Sequence, residues 1–265
     1  VFTLPGHEQV AIHGANRQAI RWACNIFGGY DNNIMKVGGA SVVTNVINIY
    51  PGTAAFAATV DNLNGTYDIV SFGSNVWGGS NTAWTVTARA TGLSIATQSV
   101  KFFAKGMYSF LFYLEDKSIV GWVGSGGGSI ATALSWGTLS LDFTHLVGLP
   151  TTDGFLAVTT EGDIRVSLLG QATSNSATSV WGSTPVTITK VVTSNDAVTI
   201  LAATGKVVSY TYSGSYTGAA GAGKVLFSSS FIPGGNTAVD IMADGYLSLV
   251  KLSNGKCKIW GAPSL

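Results

Sequence analysis

The chain has 265 residues, with 14 Lys or Arg against 13 Asp or Glu and a formal net charge of +1. A charged share of 10%, against about 25% in an ordinary soluble protein, supplies no clustered cations for phosphate, which argues against nucleic acid and anionic membranes as partners. With 46% hydrophobic residues the chain can bury a core rather than stay disordered, and no run reaches the roughly 18 apolar residues that span a bilayer.

Val1-Phe-Thr-Leu-Pro5 lacks the basic and apolar segments of a signal peptide, and a start at Val reads as processed or excised, which leaves export open. In chain order, six segments then end alike: Cys24-Asn-Ile-Phe-Gly28, Ile69-Val-Ser-Phe-Gly73, Val120-Gly-Trp-Val-Gly124, Val166-Ser-Leu-Leu-Gly170, Tyr210-Thr-Tyr-Ser-Gly214 and Cys257-Lys-Ile-Trp-Gly261. The glycines are spaced by 45, 51, 46, 44 and 47 residues. Such a period, carried by β-branched and aromatic residues, marks a sheet unit repeated around a ring. The repeat is unbroken from Gly28 to Gly261, so residues 1–265 read as one domain of about six units.

Within each unit an apolar strand, a tight turn and a second strand precede the marker glycine. The turns fall at Ala15–Gln18, Asp61–Thr66, Glu115–Ser118, Glu161–Asp163, Thr204–Lys206 and Ser253–Lys256, glycine supplying positive φ in several of them. Helical periodicity never persists, so the fold is expected to be nearly all strand. Only four residues follow Gly261 while 27 precede Gly28. The last unit is therefore expected to complete its sheet with Val1-Phe-Thr-Leu4, closing the ring by pairing N- and C-terminal strands and removing an exposed edge.

Cys24 and Cys257 hold matching positions in the first and last units. A closing disulfide and two buried free thiols both fit. Stacked sheets lie about 10 Å apart, whereas a disulfide wants Cα atoms at roughly 4.4–6.8 Å, which favours the thiols.

Val100–Gly124 and Val239–Gly261 share a layout: a Val-x-x-x-Ala-x-Gly strand, an apolar strand, a turn, and a strand ending at glycine. This layout resembles the regulator of chromosome condensation repeat, and Phe72-Gly-Ser-Asn-Val-Trp-Gly78 is similar to that family's Trp-Gly-x-Asn-x-x-Gly segment; the family's Gly-Gln-Leu-Gly tail is missing. The resemblance implies a β-propeller of four-stranded blades, usually seven in the family and six here. It says less about function, since the family includes exchange factors, enzyme inhibitors, bacterial proteins and phage tail components.

No catalytic constellation stands out. His7, His13 and His145 are scattered, Ser125–Ser129 lacks the Lys and Ser/Thr of a phosphate loop, and Glu115 and Glu161 fall in equivalent turns of different units rather than as an acid/base pair. Asp153, Asp240 and Asp244 read as capping and turn residues. No cofactor or metal is expected, and the chain reads as a non-enzyme.

The loops after the marker glycines carry Tyr30, Asn32, Asn75, Trp77, Asn81 and Tyr216. Uncharged amides and aromatic faces suit the hydroxyls and C–H surfaces of neutral glycans. Trp122 and Trp260, inside strands, read as packing between blades; Trp77, Tyr30 and Tyr216 divide between packing and recognition. The expectation is an all-β, single-domain propeller, extracellular or on a virion or cell surface, binding neutral glycans or a surface receptor as a lectin, adhesin or phage tail component, with assembly into a larger particle open. The alternative is a protein-binding propeller acting as scaffold or enzyme inhibitor, which would show an apolar aromatic patch on one face.

Overall fold

The structure, a computed structural model, describes residues 2–3, 9–22, 35–36, 44–79, 86–124, 142–149, 154–160, 164–168, 171–176, 187–195, 197–211, 225–228, 232 and 234–261. Each sheet is an antiparallel arrangement of consecutive strands, the outcome expected when short β-branched and aromatic runs alternate with Gly, Asn and Asp turns. Among the described residues the one helical element is a single 3-10 turn, Asn75–Trp77.

The chain divides into two units, residues 1–134 and 135–265. In the first, β1 (Phe2–Thr3), β2 (Gln9–His13), β3 (Gln18–Trp22) and β4 (Met35–Lys36) form one sheet. A second comprises β5 (Val46–Pro51), β6 (Ala55–Asp61), β7 (Thr66–Gly73) and β8 (Thr87–Ser94), and a third β9 (Val100–Lys105), β10 (Ser109–Leu114) and β11 (Ile119–Val123). Ile12 of the first sheet packs on Val46, Phe56, Val70 and Phe72 of the second. On the second sheet's other face Ala55, Ala57, Tyr67 and Ile69 meet Phe110, Phe112 and Trp122. Covered on both faces, β10 is buried at every position, which is why it reads as an unbroken apolar run instead of alternating.

In the second unit β12 (Phe143–Gly148), β13 (Phe155–Thr159), β14 (Ile164–Leu168) and β15 (Gln171–Ser176) form one sheet. They are followed by a sheet of β16 (Ile188–Thr193), β17 (Ala197–Ala202), β18 (Val207–Thr211) and β19 (Val225–Ser228), and one of β20 (Ala238–Asp244), β21 (Leu247–Leu252) and β22 (Cys257–Gly261). Leu156 and Val158 pack on Val198 and Ile200, and Leu201 and Val207 on Ile241, Val250 and Leu252. The Thr199 hydroxyl bonds those of Ser209 and Ser248 inside that second interface. On the last sheet's outward face Met242, Leu249 and Ile259 stand in register across the strands, and Met242 and Ile259 are exposed.

A feature absent from the sequence reading recurs in five of the sheets. The first strand of each slips register near its start, leaving Ile47, Lys101, Thr144, Thr189 and Val239 as the extra residue of a β-bulge. Two of these residues return a hydroxyl to the neighbouring strand, Thr144 to the Val158 carbonyl and Thr189 to the Leu201 carbonyl. Bulges of this kind bend a strand and re-aim the side chain that follows.

Two expectations need correction. Phe2 and Thr3 pair with Val10 and Gln9 of the first sheet, so the N-terminal strand is not the completing strand of the last one, which has three strands among the described residues. The reason is local: Pro5-Gly6 lies in the short connection to β2, and a short loop costs less closure entropy than a chain-long one. Cys257 is a free thiol but an exposed one, because β22 is an outer strand of its sheet. Cys24 and the turn Glu161–Asp163 lie outside the described residues.

Candidate functional site

Of the six candidate residues, Asn75 and Trp77 are described; Tyr30, Asn32, Asn81 and Tyr216 lie outside the described residues. Asn75, Val76 and Trp77 make up the 3-10 turn that follows β7, and the local sequence explains its shape. Gly73 takes φ +99° and Gly78 φ +87°, values that side chains other than glycine rarely adopt. Between them the backbone closes on itself, Trp77 N–H donating to the Ser74 carbonyl at 3.1 Å, Gly78 N–H to Asn75 at 3.2 Å and Gly79 N–H to Ser74 at 2.8 Å. The segment resembling the propeller repeat is thus the frame of the turn.

The third sheet and β8 hold this turn from below. The Trp122 indole N–H donates to the Gly78 carbonyl at 2.6 Å. Arg89 gives one guanidinium N–H to the Gly79 carbonyl at 2.5 Å and another to the Ser71 hydroxyl at 2.8 Å, while its charge lies 5.3 Å over the Trp122 ring. Burial pulls the Arg89 guanidinium below its ordinary pKa. A cation held by a carbonyl, a hydroxyl and an aromatic face is well satisfied there.

The marker Gly124 completes the fit. A Cβ at this position would lie 2.2 Å from Gly78 N and 2.3 Å from the Val76 carbonyl oxygen, so the turn passes directly over it.

What the turn presents outward is uncharged. Val76 is 45% exposed. Trp77 is half-buried, packing on the core between the second and third sheets and against Tyr108, ring centroids 4.6 Å apart. Of the two roles that the sequence left open, the packing one is therefore seen for Trp77, which is half-buried beside half-buried Tyr108. Sequence reasoning missed Arg89 and Tyr108; Arg89, between small residues in Thr-Ala-Arg-Ala-Thr, reads as a surface cation unless its partners are known.

Of the remaining candidates His13, Glu115, His145, Asp240 and Asp244 are described, while His7, Asp153 and Glu161 lie outside the described residues. Asp240 is paired with Lys190 at 2.7 Å across neighbouring sheets; that pairing, with the Ile241 N–H, holds its carboxyl below the usual range. Both follow their strand's bulge, as do Asn48, Phe102 and His145. Among the described residues no three His, Cys, Asp or Glu side chains gather as metal ligands.

No protein-family model matches the chain, and no curated protein matches it in sequence. Solved structures do resemble it. Human WBSCR16 superposes with a TM-score of 0.54 at 16% identity, over 93% of this chain and 69% of that one. Prp20p of Saccharomyces cerevisiae, the yeast RCC1, does so with 0.54 at 12% identity, over 98% and 70%. The ectodomain of the Arabidopsis thaliana receptor kinase ACR4 follows with 0.50 at 11% identity, over 96% and 77%. At such identities the likeness is one of fold. The chain has the all-β, multi-sheet architecture of β-propeller proteins, and structures of the regulator of chromosome condensation type are among its neighbours, as the repeat layout implied.

Proposed function

We propose that the chain is a non-enzymatic, protein-binding propeller, a scaffold or enzyme inhibitor, whose contact surface includes the turn Asn75–Trp77. In this reading the six sheets are the blades of one ring-closed domain spanning residues 1–265. The observation that carries it is the pinned turn: exposed Val76 and the outward side of the Trp77–Tyr108 pair are held on a backbone fixed by Trp122 and Arg89. Trp and Tyr are enriched where proteins bind proteins, and a loop already ordered loses little entropy on binding.

The comparisons favour a protein over a glycan as partner. The yeast RCC1 structure is of a complex with Kap60, and Prp20p has binding properties to Gsp1p and histones. The lectin, adhesin and virion readings draw no support from these neighbours.

The test is affinity capture from the source proteome with wild type and Val76→Asp in parallel, beside a glycan array. A protein retained by wild type and lost with Val76→Asp, with a blank array, is the expected result. Glycan binding without a protein partner would contradict the reading.

A further inference from the structure

A cavity of about 160 Å³ opens beside the β5 bulge, in the interface between the second and third sheets. Its origin lies in the bulge. Ile47 is the extra residue, and the N–H of Asn48 turns onto the Thr59 hydroxyl at 3.1 Å. At the equivalent place in the fifth and sixth sheets Lys190 crosses to Asp240. Here the counterparts are Asn48 and Phe102; Asn48 is shorter than lysine, and Phe102 stacks on Tyr113 of its own sheet. No such bridge spans the gap, and the space stays open.

We infer that this cavity is a binding site for a small neutral ring carrying a hydroxyl, the chemistry of a phenol, offered by a free small molecule or by the tyrosine side chain of a protein. Size sets the ring: an engineered cavity of about 150 Å³ admits benzene. Ile47, Ile95 and Val100 line it with apolar surface. Thr59, 3% exposed, puts a hydroxyl in its wall. The Tyr50 hydroxyl sits among the side chains of Thr59 and Asn48, while burial, the largest cause, raises its pKa; that of Tyr67 is committed to the Gln98 carbonyl.

A hydroxyl offers one donor and two acceptor positions, so Thr59, whose oxygen takes the Asn48 N–H, keeps a donor and an acceptor position for a ligand that both donates and accepts. Among the described residues the lining holds no Lys, Arg, His, Asp or Glu. A carboxylate entering it would give up water without gaining a counter-charge and would meet the field of Asp116 that already acts on Tyr67, which selects against anions.

Protein-observed NMR titration with phenol, toluene, benzoate and N-acetyltyrosinamide tests the site. Phenol is expected to shift the amide signals of Asn48, Thr59 and Val100 with a dissociation constant on the order of 1 mM, toluene more weakly and benzoate not at all. Thr59→Val should weaken phenol about five-fold and leave toluene unchanged. Ile95→Ser, at the exposed rim and safe for folding, should weaken both about two-fold. Binding of N-acetyltyrosinamide as well as phenol upholds the site with a protein side chain as source; binding of phenol alone upholds it with a free molecule as source. Absence of phenol shifts at these residues, benzoate binding as well as phenol, or phenol affinity unchanged in both variants would overturn it.

Discussion

The indole N–H of Trp122 donates to the carbonyl of Gly78 at 2.6 Å, joining two residues 44 apart in the chain. One is in the third sheet and the other in the turn after the second, so sheet packing and turn shape rise and fall together. Trp122 also stacks on Phe110 and Phe112, centroids 5.0 and 5.7 Å away.

Trp122→Phe keeps most of that stacking and removes the hydrogen bond, leaving the Gly78 carbonyl without this donor. The expected cost is about 1–3 kcal/mol, while Trp122→Ala adds a cavity and should cost about 3–5 kcal/mol. Urea unfolding of both variants checks the pair; an unchanged midpoint for Trp122→Phe would remove the bond from the account.

Two glycines make a matched comparison. Gly255, at φ +81°, has no neighbour near a prospective Cβ, so Gly255→Ala should cost only the left-handed backbone strain, about 1 kcal/mol. At Gly124 the Cβ would strike backbone atoms of the turn, and Gly124→Ala should cost about 3 kcal/mol. Equal losses would mean that the turn does not rest on Gly124.

Burial is the largest cause that pushes the Tyr67 phenol up to about 12 from 10.0, with Tyr50 and Asp116 adding to it. The folded state then holds a proton that the unfolded chain releases between pH 10 and about 12, so stability falls as pH rises through that window. The loss is on the order of 2 kcal/mol. In Tyr67→Phe this part of the alkaline slope should vanish, as denaturant titrations at pH 9 to 12 would show.

Cys257 is exposed and free. In a Cys24→Ser background it should react with a thiol reagent in the native protein as fast as in urea, and Cys257→Ser should leave the melting temperature unchanged. A protected thiol would contradict the placement of β22.

The strand content and the hairpin turns at Gly205 and Gly255 were legible because glycine at a positive φ and short apolar runs are local signals. The importance of Gly124 was legible too, but not its cause, which lies in a turn some 45 residues earlier passing over it. Bulges were invisible, since which residue of β5 or β16 is extra depends on the register of the partner strand. Arg89 was missed for the same reason: its partners Gly79 and Ser71 are brought to it only by the pairing of β7 with β8. The N-terminal strand's pairing follows nearness along the chain, β2 being the next strand, and not the repeat from which ring closure is read.

The central claim is that a turn made rigid by its neighbours is a protein-contact surface, and calorimetry on the captured partner tests it most directly. Val76→Asp, a change at an exposed side chain, should leave the melting temperature within about 1 °C of wild type while weakening the partner at least ten-fold, about 1.4 kcal/mol. An affinity equal to wild type at an unchanged melting temperature would contradict the claim.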